Sequence, residues 1–328
     1  MQQSYEGKFV LVTGGCGFIG SHLVDMLLDA GAHVRVLGRY SSGGSWGHLE
    51  HRREDGSHLD VRLGTVTDSA FVSECVEGTD VVFHLAALIG IPYSYVAPTH
   101  NVETNVLGTL NVLEAIRRHR TQRLVHTSTS ECFGSAQYVP MDEKHPVVAQ
   151  SPYAATKVAA DQLVGSYVRS FDTPAVIVRP FNTFGPRQSR RAVIPTVISQ
   201  ALAGGDVRLG SLTPIRDLNP VTNTAGAMML AGSTPNVEGE LFVVGSGVGR
   251  TVADVVASVG KIVDRDLFVV EDDTRVRPAA SEVDRLVCDY SFAASRLGYQ
   301  PKVSFEEGLR ETVDWMRTLD RQPTNYAI

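Results

Sequence analysis

Tyr153 and Lys157 stand one helical turn apart in Ser151-Pro152-Tyr153-Ala154-Ala155-Thr156-Lys157, which puts a phenol and an ammonium on one helix face. A neighbouring positive charge favours the phenolate and draws its pKa down from about 10, so Tyr153 suits removal of a hydroxyl proton. Upstream, Thr127-Ser128-Thr129-Ser130-Glu131-Cys132-Phe133-Gly134 follows an apolar run and offers hydroxyls beside a carboxylate. At the N-terminus, Thr13-Gly14-Gly15-Cys16-Gly17-Phe18-Ile19-Gly20 follows another such run and opens a helical pattern. In that arrangement Gly14 permits the tight turn, Gly17 lets a pyrophosphate approach the backbone, and Gly20 permits close helix–strand contact. The helix start then offers unpaired N–H groups and a positive dipole end to phosphates, so a nicotinamide dinucleotide is the expected cofactor.

These groups need a rigid frame, and the hydrophobic pattern supplies one. Lys8–Thr13, Val34–Leu37, Val81–Leu85, Leu124–Thr127 and Val176–Val178 read as short buried strands. Leu23, Met26, Leu27 and Ala30 recur at helical spacing up to Gly31, and Asn105–Arg118 and Tyr153–Arg169 read as further helices. Strands alternating with helices predict an α/β fold, a doubly wound parallel sheet of the Rossmann kind. Beyond about Phe181, prolines break the pattern into shorter pieces, which predicts a smaller, mixed C-terminal substrate domain. The expected division is 1–181 for the dinucleotide, rejoined by about 217–244 with Leu241–Val244 as a strand, and 182–328 for the substrate.

Composition narrows the classes further. The 328 residues are 43% hydrophobic and 20% charged with a net charge of −6, an ordinary globular balance with no basic run for nucleic acid. Cys16, Cys75, Cys132 and Cys288 are scattered, without metal-ligand spacing, so no metal site is expected and a reducing cytoplasm fits. No apolar run approaches the roughly 20 residues that span a bilayer.

The Gly-x-x-Gly-x-x-Gly spacing with Phe18-Ile19-Gly20-Ser21-His22-Leu23 resembles the extended short-chain dehydrogenase/reductase family. So do His84-Leu85-Ala86-Ala87 and Asn105-Val106-Leu107-Gly108-Thr109-Leu110-Asn111, and the resemblance runs over nearly the whole chain. It implies that Phe18, Ile19, Leu85, Ala86, Ala87 and Asn105 lie beside the cofactor, and that Lys157 also holds its ribose. Where an acid normally recognises the ribose 2′-hydroxyl, this chain has Gly38-Arg39; an arginine can pair with a 2′-phosphate, which favours NADP over NAD. Gly64-Thr65-Val66 lacks the family's usual Asp for the adenine, although Asp68 stands nearby.

Within that family, Thr129 matches the third catalytic hydroxyl. Ser130-Glu131 resembles the pair in sugar-nucleotide 4,6-dehydratases, of the GDP-mannose type in particular. The resemblance implies that Tyr153 takes the 4-OH proton as C4 is oxidised, and that Glu131 removes the C5 proton. Water then leaves C6 with help from Glu131 or Ser130, and the hydride returns to C6. The alternatives are a 4-epimerase or decarboxylase of a nucleotide-linked uronic acid, and a non-catalytic dinucleotide-binding regulator. Val158 stands where family decarboxylases have Arg, and intact Thr129, Tyr153 and Lys157 speak against a regulator.

Arg179-Pro180-Phe181-Asn182-Thr183-Phe184-Gly185-Pro186-Arg187 resembles the segment whose Asn contacts substrate, so that role falls to Asn182. Gly210–Asp217 and Arg277-Pro278 match segments whose arginines, Arg216 and Arg277, clamp a diphosphate, for which a guanidinium fork is suited. Arg39-Tyr40-Ser41, Ile91-Pro92-Tyr93-Ser94-Tyr95 and Pro186–Ser189 resemble the NDP-N-acetylglucosamine 4,6-dehydratases of the legionaminic-acid type. That likeness implies a nucleotide-diphosphate hexosamine as partner, with Tyr93 lining its pocket. Family analogy also implies a homodimer built on Asn105–Arg118 and Tyr153–Arg169.

Overall fold

The computed structural model describes residues 2–54, 56–272 and 283–319. Its strands are β1 Phe9–Thr13, β2 His33–Arg39, β3 Leu59–Gly64, β4 Val81–His84, β5 Arg123–Thr127, β6 Ala175–Pro180, β7 Asn182–Phe184, β8 Val207–Leu209, β9 Ile215–Pro220, β10 Leu241–Val244, β11 Gly249–Thr251, β12 Val269–Glu271 and β13 Arg285–Leu286. Seven of them form one all-parallel sheet in the order β10-β6-β5-β4-β1-β2-β3. Val10 sits opposite Val34 on one side and Val81 on the other, so the inner strands are apolar on both faces.

The strand order reverses between β1 and β4, and in open α/β sheets ligands lie at the carboxyl ends of strands beside such a reversal. Thr13 ends β1 and His84 ends β4, side by side in register, which fixes where the site must be.

Helix Phe18–Asp29 and helix Val221–Ser233 cover one face, where Leu23, Val24, Leu27, Ala225 and Met228 bury against Val10, Val12, Val36 and Phe83. Helices Ser69–Val76, Gly108–His119 and Pro152–Phe171 cover the other through Val72, Val112, Ile116 and Val164. The edge strand β3 was not foreseen. Asp60 and Arg62 interrupt its apolar residues, and Asp60 Oδ2 accepts from Arg35 Nε at 3.2 Å and Arg62 Nε at 2.9 Å. A charged edge strand lacks the continuous apolar run that marks buried parallel strands.

A second layer lies beyond β6. There β9 pairs with β7, β11 and β13, while β8 pairs with β12. Helices Val193–Ala203, Val252–Val263 and Phe305–Thr318 close over Ile194, Val197, Val255, Val259, Leu309 and Val313. Capping boxes at Thr251/Asp254 and Ser304/Glu307 start two of these helices. Asn223, where the family often has Asp, is fully used: Nδ2 donates to Asn219 Oδ1 and Val303 O, and Oδ1 accepts from Val303 N at 3.0 Å. Among the described residues no helix is long and apolar enough to cross a membrane.

Candidate active site

The glycine turn forms a cradle with no room for side chains. Gly14 has φ +73°, and a Cβ there would lie 2.9 Å from Ala86 N. A Cβ on Gly20 would lie 2.3 Å from Gly14 O, so helix Phe18–Asp29 can enter at this angle only with glycine. Gly17 caps that helix without any side-chain hydrogen bond, leaving N–H groups at its start for an anion. These features fit a dinucleotide pyrophosphate, with Phe18 and Ile19 in the first helical turn and Leu85–Ala87 across from it. Gly20→Ala is expected to abolish saturable binding of NADH and NADPH in a fluorescence titration; parent-like binding would show that the cradle is not needed.

Around the cradle, a chain of hydrogen bonds locks the ends of β1 and β4. Ala86 N donates to Thr13 Oγ1, which lies 2.7 Å from His84 Nδ1; His84 Nε2 lies 3.1 Å from Thr109 Oγ1, which donates to Asn105 O. Because Thr109 gives its proton to Asn105 O, it accepts from His84 Nε2, which assigns the neutral Nε2–H tautomer. Burial, then His126 and Lys157, push the His84 pKa well below its usual value, in keeping with a neutral ring.

Asn105 sits in a π-helical turn, Glu103–Leu107, a distortion frequent near functional sites. Its Oδ1 accepts from Leu88 N at 2.7 Å, and its Nδ2 donates to Leu88 O and Thr156 Oγ1. Its side chain thus clamps the loop after β4 to helix Pro152–Phe171. Asp68 likewise has local work, since Oδ1 caps helix Ser69–Val76 by accepting from Ala70 N and Phe71 N. That capping accounts for an acid there without any ligand.

Arg39 ends β2, exposed, with no ion pair or side-chain hydrogen bond among the described residues. Glu50, in the helical turn Gly47–Arg52 that follows β2, has partners of its own. Its carboxylate accepts from Arg53 Nε, Trp46 N and Ser45 Oγ, which hold its pKa down to about 2.

Thr129 and Glu131 meet the Tyr153 helix just past the end of β5. Thr129 caps a single helical turn, Ser130–Phe133, its Oγ1 accepting from Glu131 N at 3.3 Å. Ser130 is buried, and Glu131 is half-buried at the rim. Ser151 caps helix Pro152–Phe171 by accepting from Ala154 N at 3.1 Å, which delivers Tyr153 in its first turn and Lys157 in its second. Tyr153 is 6% exposed and Lys157 4%, so both work out of bulk water.

The electrostatics of the pair correct one expectation. Burial pushes the Tyr153 phenol above its ordinary value, and the Thr129 hydroxyl hydrogen bond only partly offsets this. Burial also pulls Lys157 down, against the charge of Asp161. A buried phenol prefers its neutral form, and desolvation is the largest influence on Tyr153.

Asn182 opens β7 beside the carboxyl end of β6, and its Oδ1 is buried without a hydrogen-bond partner. An orphaned buried acceptor is a place for a ligand donor. Arg216 lies on β9, its NH1 donating to Ile215 O at 3.1 Å. Tyr93 lies on helix Ile91–Val96, which packs beside Pro152–Phe171; it is 43% exposed and its hydroxyl is 3.0 Å from His100 Nδ1. Arg277 lies outside the described residues.

One cluster was missed. Asp161, on the same helix, accepts from Ser128 Oγ at 2.6 Å and Arg179 NH2 at 2.7 Å, and His126 lies against it. The spacing of Asp161 from Tyr153 and Lys157, i+8 and i+4, was the available signal.

A glycine cradle at the switch point of a parallel sheet, with Thr129, Tyr153 and Lys157 beside it, defines an enzyme that works on an alcohol with a nicotinamide dinucleotide. The family model for GDP-mannose 4,6 dehydratase matches residues 11–312, and the chain belongs to that family, of the extended short-chain dehydrogenase/reductase type. It is 33% identical over 320 residues to a dTDP-glucose 4,6-dehydratase of an Actinoplanes species, covering 94% of this chain and 97% of the relative. A solved dTDP-glucose 4,6-dehydratase from Streptomyces venezuelae, with NAD bound, superposes with a TM-score of 0.85 at 30% identity, over 94% of this chain and 97% of that one. The UDP-N-acetylglucosamine 4-epimerase from Methanobrevibacter ruminantium, in complex with UDP-N-acetylmuramic acid, gives a TM-score of 0.87 at 30% identity, over 95% and 99%. The chain is thus an NAD(P)-dependent sugar-nucleotide enzyme of the dehydratase and epimerase kind.

Proposed function

We propose that this enzyme is a 4,6-dehydratase acting on a nucleotide-diphosphate hexosamine. The observation that supports this most is the Thr129–Glu131 turn: Thr129 Oγ1 accepts from Glu131 N at 3.3 Å, which puts a carboxylate on the same turn as the hydroxyl, and that turn packs against the helix that carries Tyr153 and Lys157. A 4-epimerase needs no base for a carbon-bound proton, whereas a dehydratase does.

When bound, the nicotinamide accepts a hydride from the sugar and gives it back. Tyr153 takes the proton of the sugar 4-hydroxyl, and Thr129 bonds the same oxygen as it becomes a carbonyl. The carbonyl acidifies the C5 hydrogen, which Glu131 removes. Glu131, or Ser130, then supplies the proton with which water departs from C6. Once the hydride is back on C6, C5 takes up a proton from solvent and Tyr153 releases to solvent the one it took from the 4-hydroxyl, so the net change is loss of one water. Asn182 and Arg216, with Arg277, hold the sugar and diphosphate, with Tyr93 at the pocket edge. Incubation with UDP- and GDP-N-acetylglucosamine, followed by mass measurement, tests this. Loss of one water supports it, while an isomer of unchanged mass speaks for epimerisation.

The same reading places the cofactor on 1–181 with 217–244, and the substrate on 182–328. It favours NADP, because Arg39 is an exposed cation with no carboxylate partner at the expected 2′-phosphate position. Arg39→Asp is expected to weaken NADP binding by about tenfold or more relative to NAD, as loss of a charge-assisted pair implies. Equal weakening of both cofactors in the titration would refute that preference. Val102, Leu107 and Phe171, exposed at 45%, 48% and 49% on or beside the two long helices, leave apolar surface there for the homodimer that family analogy implies. The four free cysteines suit the cytoplasm.

A further inference from the structure

Tyr153, Lys157 and Asp161 recur every four residues, so helix Pro152–Phe171 stacks them along one face. Asp161 is 6% exposed. Its Oδ2 is gripped by Ser128 Oγ at 2.6 Å and Arg179 NH2 at 2.7 Å, and the Arg179 guanidinium in turn lies over the Phe133 ring at 4.5 Å. Ser128 directly precedes Thr129, and Arg179 stands on β6 just before Asn182. One carboxylate therefore joins the segments that carry Lys157, the Thr129–Glu131 turn and Asn182. Its other oxygen, Oδ1, is buried without a hydrogen bond; His126 Nε2 approaches to 3.3 Å but out of line.

We propose that Asp161 is a positioning residue which, anchored by Ser128 and Arg179, keeps the Lys157 side chain in place as an ammonium beside Tyr153.

The charges around Lys157 support this from every side. His84 on β4 and His126 on β5 are held neutral, the latter by burial and then Lys157, which bring it down to about 4. Burial pushes the Cys132 thiol up to about 11, so it is neutral too, and Tyr153 is held as the phenol. Burial works against the Asp161 carboxylate, yet Arg179 and Lys157 outweigh it and keep it ionised. Asp161 is then the buried anion that opposes the desolvation of Lys157, with Arg179 as the second cation and Glu131 at the rim. Without it, an ammonium in this site faces burial and Arg179 alone, and it releases its proton at lower pH.

This inference rests on Tyr153 and Lys157 being the working pair, not on which sugar is turned over. The test accordingly uses the cofactor-free protein and no substrate. The chain has five lysines, Lys8, Lys144, Lys157, Lys261 and Lys302, so their 13Cε signals can be followed by NMR through a pH titration, with Lys157→Arg identifying one. The parent Lys157 is expected to be protonated at neutral pH. In Asp161→Asn its midpoint is expected to fall by about one pH unit or more, while the other four stay put. That variant leaves Arg179 without its anion, so Asp161→Asn/Arg179→Gln, which removes both charges together, is made alongside and is expected to show a smaller fall in the same direction, because burial still disfavours the ammonium. A merely structural Asp161 would lower stability without moving the Lys157 midpoint. An unmoved midpoint in either folded variant, or a neutral Lys157 in the parent at pH 7, overturns the proposal.

Discussion

Tyr153→Phe is expected to lower turnover by about a thousandfold while leaving dinucleotide affinity within a factor of two or three, since a positioned acid–base group contributes about 10²–10⁴. The phenyl ring keeps the buried volume of a residue that is 6% exposed, so the fold tolerates the change. What the substitution removes is the oxygen proposed to take the substrate proton. Burial raises the Tyr153 pKa and the base form does the work, so the parent rate should climb as pH rises and the phenol ionises. The variant should show no such limb. Steady-state kinetics with a cofactor titration checks both parts, and substantial residual turnover with an unchanged pH profile would remove Tyr153 from its role.

Glu131→Gln is expected to cut loss of water by about 10²–10⁴ but to leave oxidation at C4 in place, because the two steps use different groups. Glu131 and Thr129 sit on the same capped turn, and the proposed roles divide between them, Thr129 with Tyr153 in the oxidation and Glu131 in the elimination. A glutamine retains the shape and the backbone hydrogen bond from Glu131 N to Thr129 Oγ1, so the turn survives. The variant should therefore reduce its bound cofactor on mixing with substrate, seen as nicotinamide absorbance, and then stall. Dehydration at the parent rate would show that another group removes the C5 proton. A variant that neither oxidises nor dehydrates would indicate a role in the first step.

Much of this site is legible from local spacing. Gly14, Gly17 and Gly20 lie within one turn, and Tyr153 and Lys157 within another, so residue types alone imply what they can do. The sheet follows from apolar runs wherever both faces are buried, as at Val10–Val12 and Val81–Phe83. It fails at β3, where Asp60 accepts hydrogen bonds from Arg35 and Arg62 along an exposed edge. The His84, His126, Asp161 and Arg179 cluster is non-local, assembled from β4, β5, β6 and a helix. Only the strand order brings those side chains together. Asn105 and Asp68 teach a different lesson: each residue stands out in the sequence, but its hydrogen bonds are spent on Leu88, Thr156, Ala70 and Phe71, none of which is visible as a partner beforehand. The depressed phenol pKa expected from Lys157 fails for a related reason, since spacing reports the neighbouring charge and says nothing of burial.

In the proposed reaction the hydride taken from C4 returns to C6 as water leaves. A nucleotide-linked N-acetylglucosamine carrying deuterium at C4 tests it directly. The account predicts a product lighter by one water with deuterium in its C6 methyl group. Deuterium retained at C4 in an isomer of unchanged composition would contradict it.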